Sequence, residues 1–172
     1  PIILSLMLTS LAIGTIITMS STHWLMAWVG LELNTLSIIP IITKHHYPRS
    51  TEATTKYFLT QAAASAMLLF ASTMNAWYTG TWDISQLTSQ PACIMLTMAL
   101  SMKLGLAPLH FWLPEMLQGT SLSTALIITT WQKLAPMALL FLTHNTLNPT
   151  ILLPMGLLST LVGGWGGLNQ TQ

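Results

Sequence analysis

Six apolar runs, each close to the length of a membrane-spanning helix, follow one another with only short polar segments between them. They cover about residues 2–19, 24–43, 57–78, 92–112, 122–143 and 150–168. A helix that crosses the hydrocarbon of a bilayer needs about 20 mostly apolar residues. The connections, SSTH, KHHYPRSTEATTK, TGTWDISQLTSQP, LPEMLQGTS and HNTLNP, carry the Pro, Gly, Asn and Ser of turns. No long linker separates them. The expected fold is therefore all-α: one polytopic transmembrane domain over residues 1–172 with about six spans. Composition supports this, because only 5% of the 172 residues are charged. Soluble domains carry about 25% and need them to cover a water-facing surface.

Several classes are excluded at once. A net charge of +1 gives no basis for nucleic-acid binding. Cys93 stands alone, which rules out an internal disulfide, a cysteine zinc site and a four-cysteine iron–sulfur cluster. The opening apolar run has no basic segment before it, so a signal peptide is not expected. The chain opens on Pro1 and stops at GGLNQTQ without a clear ending, so a fragment of a longer protein is expected.

Basic loop residues set orientation. Lys44, Arg49 and Lys56 lie in the second connection, whereas the third holds Asp83 and no Lys or Arg. The second connection should face the side of synthesis, with the N-terminus and the LPEMLQG segment on that side too. Trp24, Trp77 and Trp82 then gather at the opposite face as an aromatic belt. The sequon Asn169-Gln170-Thr171 falls on the inner side and carries little weight.

Three ionisable groups break the apolar pattern. At 1.5 Å per residue, Glu32 lies about 12 Å into its span, and Lys103 and Lys133 each about 17 Å into theirs. In a hydrocarbon core about 30 Å thick, all three are near the midplane. Each central charge costs about 2.5 to 3.5 kcal/mol to insert. A Lys at that depth cannot readily snorkel to an interface. A structural ion pair between Glu32 and one Lys is the simplest alternative, but it leaves the other Lys without a carboxylate. Lys, unlike Arg, can give up its proton when buried. A Glu–Lys contact at 4 Å and an effective dielectric near 20 is worth about 4 kcal/mol. Moving a carboxylate toward or away from Lys103 would then load or release a proton.

The surroundings of Lys103 point the same way. Pro108 has no N–H for the Leu104 carbonyl, and Gly105 weakens the same turn. Freed carbonyls in a broken membrane helix hold cations or water. The negative end of the preceding half-helix favours an amine. Pro136 repeats the pattern three residues after Lys133 and frees the Gln132 carbonyl. His110, about two turns beyond Lys103, is a candidate to extend a proton path; a hydrogen-bonded structural His is an equal alternative.

Other features have plainer readings. His23, His45, His46 and His144 fall in or near loops, and the His45–His46 pair has no evident further metal ligand. Glu115 is either a proton-entry residue or a solvated acid, and Lys56 an interface anchor. TQAAASA at 60–66 and GGWGG at 163–167 are close-packing faces; no strand precedes the latter, which argues against a nucleotide loop.

The segments HWLMAWVGLELNTLSIIPII, TKYFLTQAAASAMLLF, NAWYTGTWDI, MKLGLAPLHFWLPEMLQG and GGWGGLNQTQ closely resemble the chain 2 family of mitochondrial NADH:ubiquinone oxidoreductase, respiratory complex I. The resemblance is collinear over essentially the whole chain. It implies a core membrane-arm subunit, multi-pass in the mitochondrial inner membrane, with the N-terminus and the basic segment 44–56 on the matrix side. It also implies an antiporter-like repeat of five helices, one of them broken, plus the start of a second repeat whose own lysine lies beyond Gln172. The family's essential glutamate falls on Glu32 in GLELN. Its broken-helix lysine falls on Lys103 in MKLG, and its central lysine on Lys133 in WQKLAP.

The expected function is to couple electron transfer from NADH to ubiquinone to proton movement. No redox chemistry and no cofactor are expected on this chain; NADH, FMN, iron–sulfur clusters and ubiquinone would sit on other subunits. The expected partners are those membrane-arm subunits and bilayer lipid, with cardiolipin a candidate. Two alternatives stand beside this: a structural membrane subunit with no proton path of its own, and a free-standing cation/proton antiporter.

Overall fold

The structure, a computed structural model, describes residues 2–43, 48–84, 90–106, 111–147 and 149–170. Eight α-helices lie in the described residues: α1 (Ile2–Ser20), α2 (Trp24–Ile42), α3 (Pro48–Thr79), α4 (Gln90–Leu104), α5 (Trp112–Gln118), α6 (Leu122–Thr130), α7 (Leu134–Thr143) and α8 (Pro149–Leu168). A 3₁₀ turn, Trp131–Lys133, joins α6 to α7. Among the described residues, five segments are long and apolar enough to cross a membrane, with Leu122–Thr143 counted as one. Large apolar side chains such as Ile2, Leu6, Phe70, Phe141 and Leu157 are exposed, as a lipid-facing surface requires.

Two expected spans are divided. The run 92–112 is not one helix: α4 ends at Leu104, and Trp112 opens the separate helix α5. Gly105 takes φ +76°, in the left-handed region that a side chain disfavours. Its N–H and that of Leu106 both bond the Ser101 carbonyl, at 2.9 and 3.0 Å, which closes the helix end. LPEMLQG, expected as a loop, is therefore largely helical. The run 122–143 is interrupted at Trp131–Lys133, one turn before Pro136, whose missing N–H loosens the ladder there. At the other boundary, α3 begins at Pro48, earlier than the expected Tyr57, because proline is well suited to a first helical position. Its 32 residues extend about 48 Å, longer than the bilayer core, so its first turns project into water.

Polar and small residues bring the helices together. Gly14 and Gly30 let α1 and α2 cross at close range: a Cβ on Gly30 would lie 2.8 Å from the Gly14 carbonyl oxygen. Trp24, Leu68, Ala99, Leu100, Ala135 and Leu139 build a buried core between α2, α3, α4 and α7. At the end opposite the Arg49–Lys56 turns, His23 and Asp83 form an isolated bridge. His23 Nδ1 also accepts from the Leu25 N–H at 3.0 Å, capping α2, and its ring stacks on Trp82. The expected tryptophan belt is corrected in part: Trp77 is 86% exposed, but Trp24 is wholly buried and its backbone N–H bonds the Trp82 carbonyl at 3.0 Å.

Helix α8 is nearly bare, with Met155 alone buried among its residues. Gly163, Gly164, Gly166 and Gly167 have open space where a Cβ would stand, so the close packing expected of GGWGG is not made within this chain.

Candidate functional site

Lys103 occupies the last turn of α4 and is 5% exposed. Its amine donates to Ser65 Oγ at 3.0 Å and lies 3.5 Å from Gln61 Oε1. Gln61 and Ser65 are four residues apart on α3, so they share one face. The alanines around them let α3 approach α4; Ala64 and Ala99 are fully buried. Glu32 lies on α2, which packs against the α3 helix that bears Gln61 and Ser65. It makes no ion pair with either intramembrane lysine among the described residues, where the ion pairs found are those of Lys56. Its Oε1 is buried without a hydrogen-bond partner. The structure thus holds Lys103 apart from the carboxylate expected to pair with it.

Lys133, the last residue of the 3₁₀ turn, donates to the Leu104 carbonyl. That oxygen sits at the negative end of α4, where helix geometry leaves carbonyls without partners. The cation held at the broken end of α4 is therefore the amine of the next span. Trp112 frames it: Lys133 Nζ is 5.6 Å from the Trp112 ring centroid, and Trp112 Nε1 donates to the Met102 carbonyl at 2.9 Å. Trp131 steadies the turn from the other side, its Nε1 donating to Thr15 Oγ1 at 3.1 Å.

Lys103 and Lys133 line one small cavity of about 10 Å³, together with Gln61, Tyr57, Asn34 and Gln132. A water needs roughly 10–15 Å³ and two to four polar partners, so this space suits a single water. Gln132 Nε2 is buried there without a protein partner. His110 and Pro108 lie outside the described residues, as do Lys44, His45 and His46.

A second polar cluster lies where α3 projects from the bilayer. Lys56 pairs with Glu115 at 3.0 Å and with Glu52 at 3.1 Å, beside Arg49 and Gln118. Glu115 is thus an exposed acid paired with Lys56. Glu115 first, and then Glu52, raise the pKa of Lys56 above its ordinary value.

Charge cost singled out Glu32, Lys103 and Lys133, but missed the neutral groups around them. Gln61 and Ser65 stood inside TQAAASA, which read as a packing face. The available signal was two polar residues at helical spacing within an otherwise alanine-rich run.

Residues 21–172 match the family model described as NADH:quinone oxidoreductase/Mrp antiporter, transmembrane. The chain belongs to that family. Among relatives of this family, NADH-ubiquinone oxidoreductase chain 2 of Oncorhynchus mykiss is 61% identical over the whole chain, and that of Xenopus laevis 63%. The chain spans about half their length, 49% and 50%. A chain of respiratory complex I from Thermus thermophilus superposes with a TM-score of 0.91 at 29% identity, over 99% of this chain and 40% of that one. An archaeal membrane-bound sulfane sulfur reductase shares the fold at a TM-score of 0.68 and 17% identity, over 79% of this chain and 31% of its own.

Proposed function

We propose that this chain is part of a proton-translocating membrane-arm subunit of respiratory complex I in the mitochondrial inner membrane. It would couple electron transfer from NADH to ubiquinone to proton movement. The observation that carries this is the pair of amines, Lys103 and Lys133, at a helix break on one water-sized polar cavity, with Glu32 Oε1 buried and unpartnered on α2. Lys103 holds a proton, Glu32 biases its retention, and Lys133 receives or passes it across the cavity. His110 extends the route toward the basic end, which faces the matrix. NADH, FMN, iron–sulfur clusters and ubiquinone belong to other subunits. Moving a charge against 100 mV costs about 2.3 kcal/mol, so the driving signal comes from those partners.

Replacing Lys103 by Met in the full-length subunit tests this. The complex should assemble, and its proton-to-electron ratio in vesicles should fall. A lost complex would support a purely structural role for the lysine, and an unchanged ratio would remove the basis of the proposal. Transport by the subunit alone, without redox partners, would favour a free-standing antiporter.

A further inference from the structure

We propose that Gln61 and Ser65 are positioning residues that form a second berth for the Lys103 amine, so that Lys103 alternates between this neutral amide–hydroxyl pair and the Glu32 carboxylate. The inference rests on the proton-translocation proposal above and adds the element that makes its switch two-sided.

Three observations carry it. Both acceptors come from α3, an element separate from the one that bears Glu32, so the two berths can move relative to each other. Both are 4% exposed, and a buried hydroxyl and amide of this kind are costly unless they make hydrogen bonds. The Lys103 amine supplies those bonds at 3.0 and 3.5 Å. Meanwhile Glu32 Oε1 is buried and unpartnered, which is the state of a carboxylate whose cation is docked elsewhere.

The chemistry of the berth follows from donor counting. An ammonium has three N–H donors, and Ser65 and Gln61 accept two. Because Lys103 also lines the cavity, its remaining donor has a water-sized polar space beside it. A neutral berth compensates a buried ammonium less than a carboxylate does. An amine on Ser65 and Gln61 is thus readier to pass its proton into the cavity, where Lys133 and Gln132 also face, than one on Glu32. The groups of other elements around that proton are Glu32 on α2 and Lys133 on the 3₁₀ turn, with Tyr57 on α3 itself.

The test uses Ser65→Ala, Ser65→Thr and Gln61→Glu in the full-length subunit of the assembled complex. Ser65→Ala removes one acceptor, and Gln61→Glu makes the berth a charged one that pins the ammonium. Losing one hydrogen bond to a charged group costs about 1.5–3 kcal/mol, so Ser65→Ala should lower proton-coupled turnover about 10- to 100-fold, and Gln61→Glu should lower it by trapping the ammonium. The proton-to-electron ratio should fall while the KM for ubiquinone is unchanged. Ser65→Thr, which keeps the hydroxyl, should restore coupling. Wild-type coupling in Ser65→Ala and Gln61→Glu would overturn the berth, as would loss of assembled complex in Ser65→Ala. If Lys103→Met abolishes coupling while these variants leave it intact, the berth fails and the wider proposal stands. If Lys103→Met also leaves coupling intact, both fail.

Discussion

At the residue scale, the site depends on one backbone conformation. Gly105 at φ +76° ends α4 and leaves the Leu104 carbonyl to Lys133. A Cβ there would stand 3.4 Å from Lys133 Nζ. Gly105→Ala should cost about 1–2 kcal/mol, seen as a lower unfolding midpoint in detergent. It should also weaken coupling by disturbing the Lys133 contact; an unchanged midpoint would show that this turn is not strained by a side chain. Glu32, Lys103 and Lys133 were legible in the sequence because charge in hydrocarbon has a cost that any reader can price from a scale. Gln61 and Ser65 were not, because neutral polar groups on a small-residue helix face carry little insertion penalty. Their role emerges only when α4 supplies the amine.

At the element scale, helix contacts are decided by what stands opposite. The glycine-rich GGWGG run looked like a packing face, yet its glycines meet nothing here. The close crossing is instead made by Gly14 and Gly30, each unremarkable in its own helix, because they coincide only after α1 and α2 pair. Gly30→Ala would drive its methyl group against Thr18 Oγ1 and to 2.8 Å from the Gly14 carbonyl. Overpacking of this kind costs about 1–3 kcal/mol. The expected result is a reduced yield of assembled complex on native gels, and an unchanged yield would show that the α1–α2 crossing tolerates a methyl group. Proline and glycine placement did reveal the interruption beside Lys103; near Lys133 Pro136 marked a freed carbonyl, but the run 122–143 was expected as one unbroken span. That placement did not reveal that α5 would form beyond the break at Gly105, since a seven-residue helix carries too few turns to show a period.

At the scale of the whole molecule, one end gathers the charge. Arg49, Glu52, Lys56, Glu115 and Gln118 surround a polar pocket of about 270 Å³ where α3 and α5 meet. Their pairing is solvent-exposed and screened, so Lys56→Cys should leave the unfolding midpoint in detergent nearly unchanged. That mildness makes position 56 a useful reporter of sidedness, since Cys93 is buried and should stay silent. If the basic end faces the matrix, a membrane-impermeant thiol reagent should label Cys at 56 in inside-out vesicles and not in intact mitoplasts. The reverse pattern would invert the proposed topology.

In the proposed route a proton passes between the buried amine of Lys103 and the half-buried amine of Lys133 through a space of about 10 Å³. A cryo-EM map of the assembled complex at a resolution that shows ordered water tests this most directly. The expected result is a water within hydrogen-bond distance of both Lys103 and Lys133. A dry contact there, with the two amines turned away from each other and sealed by apolar side chains, would contradict it.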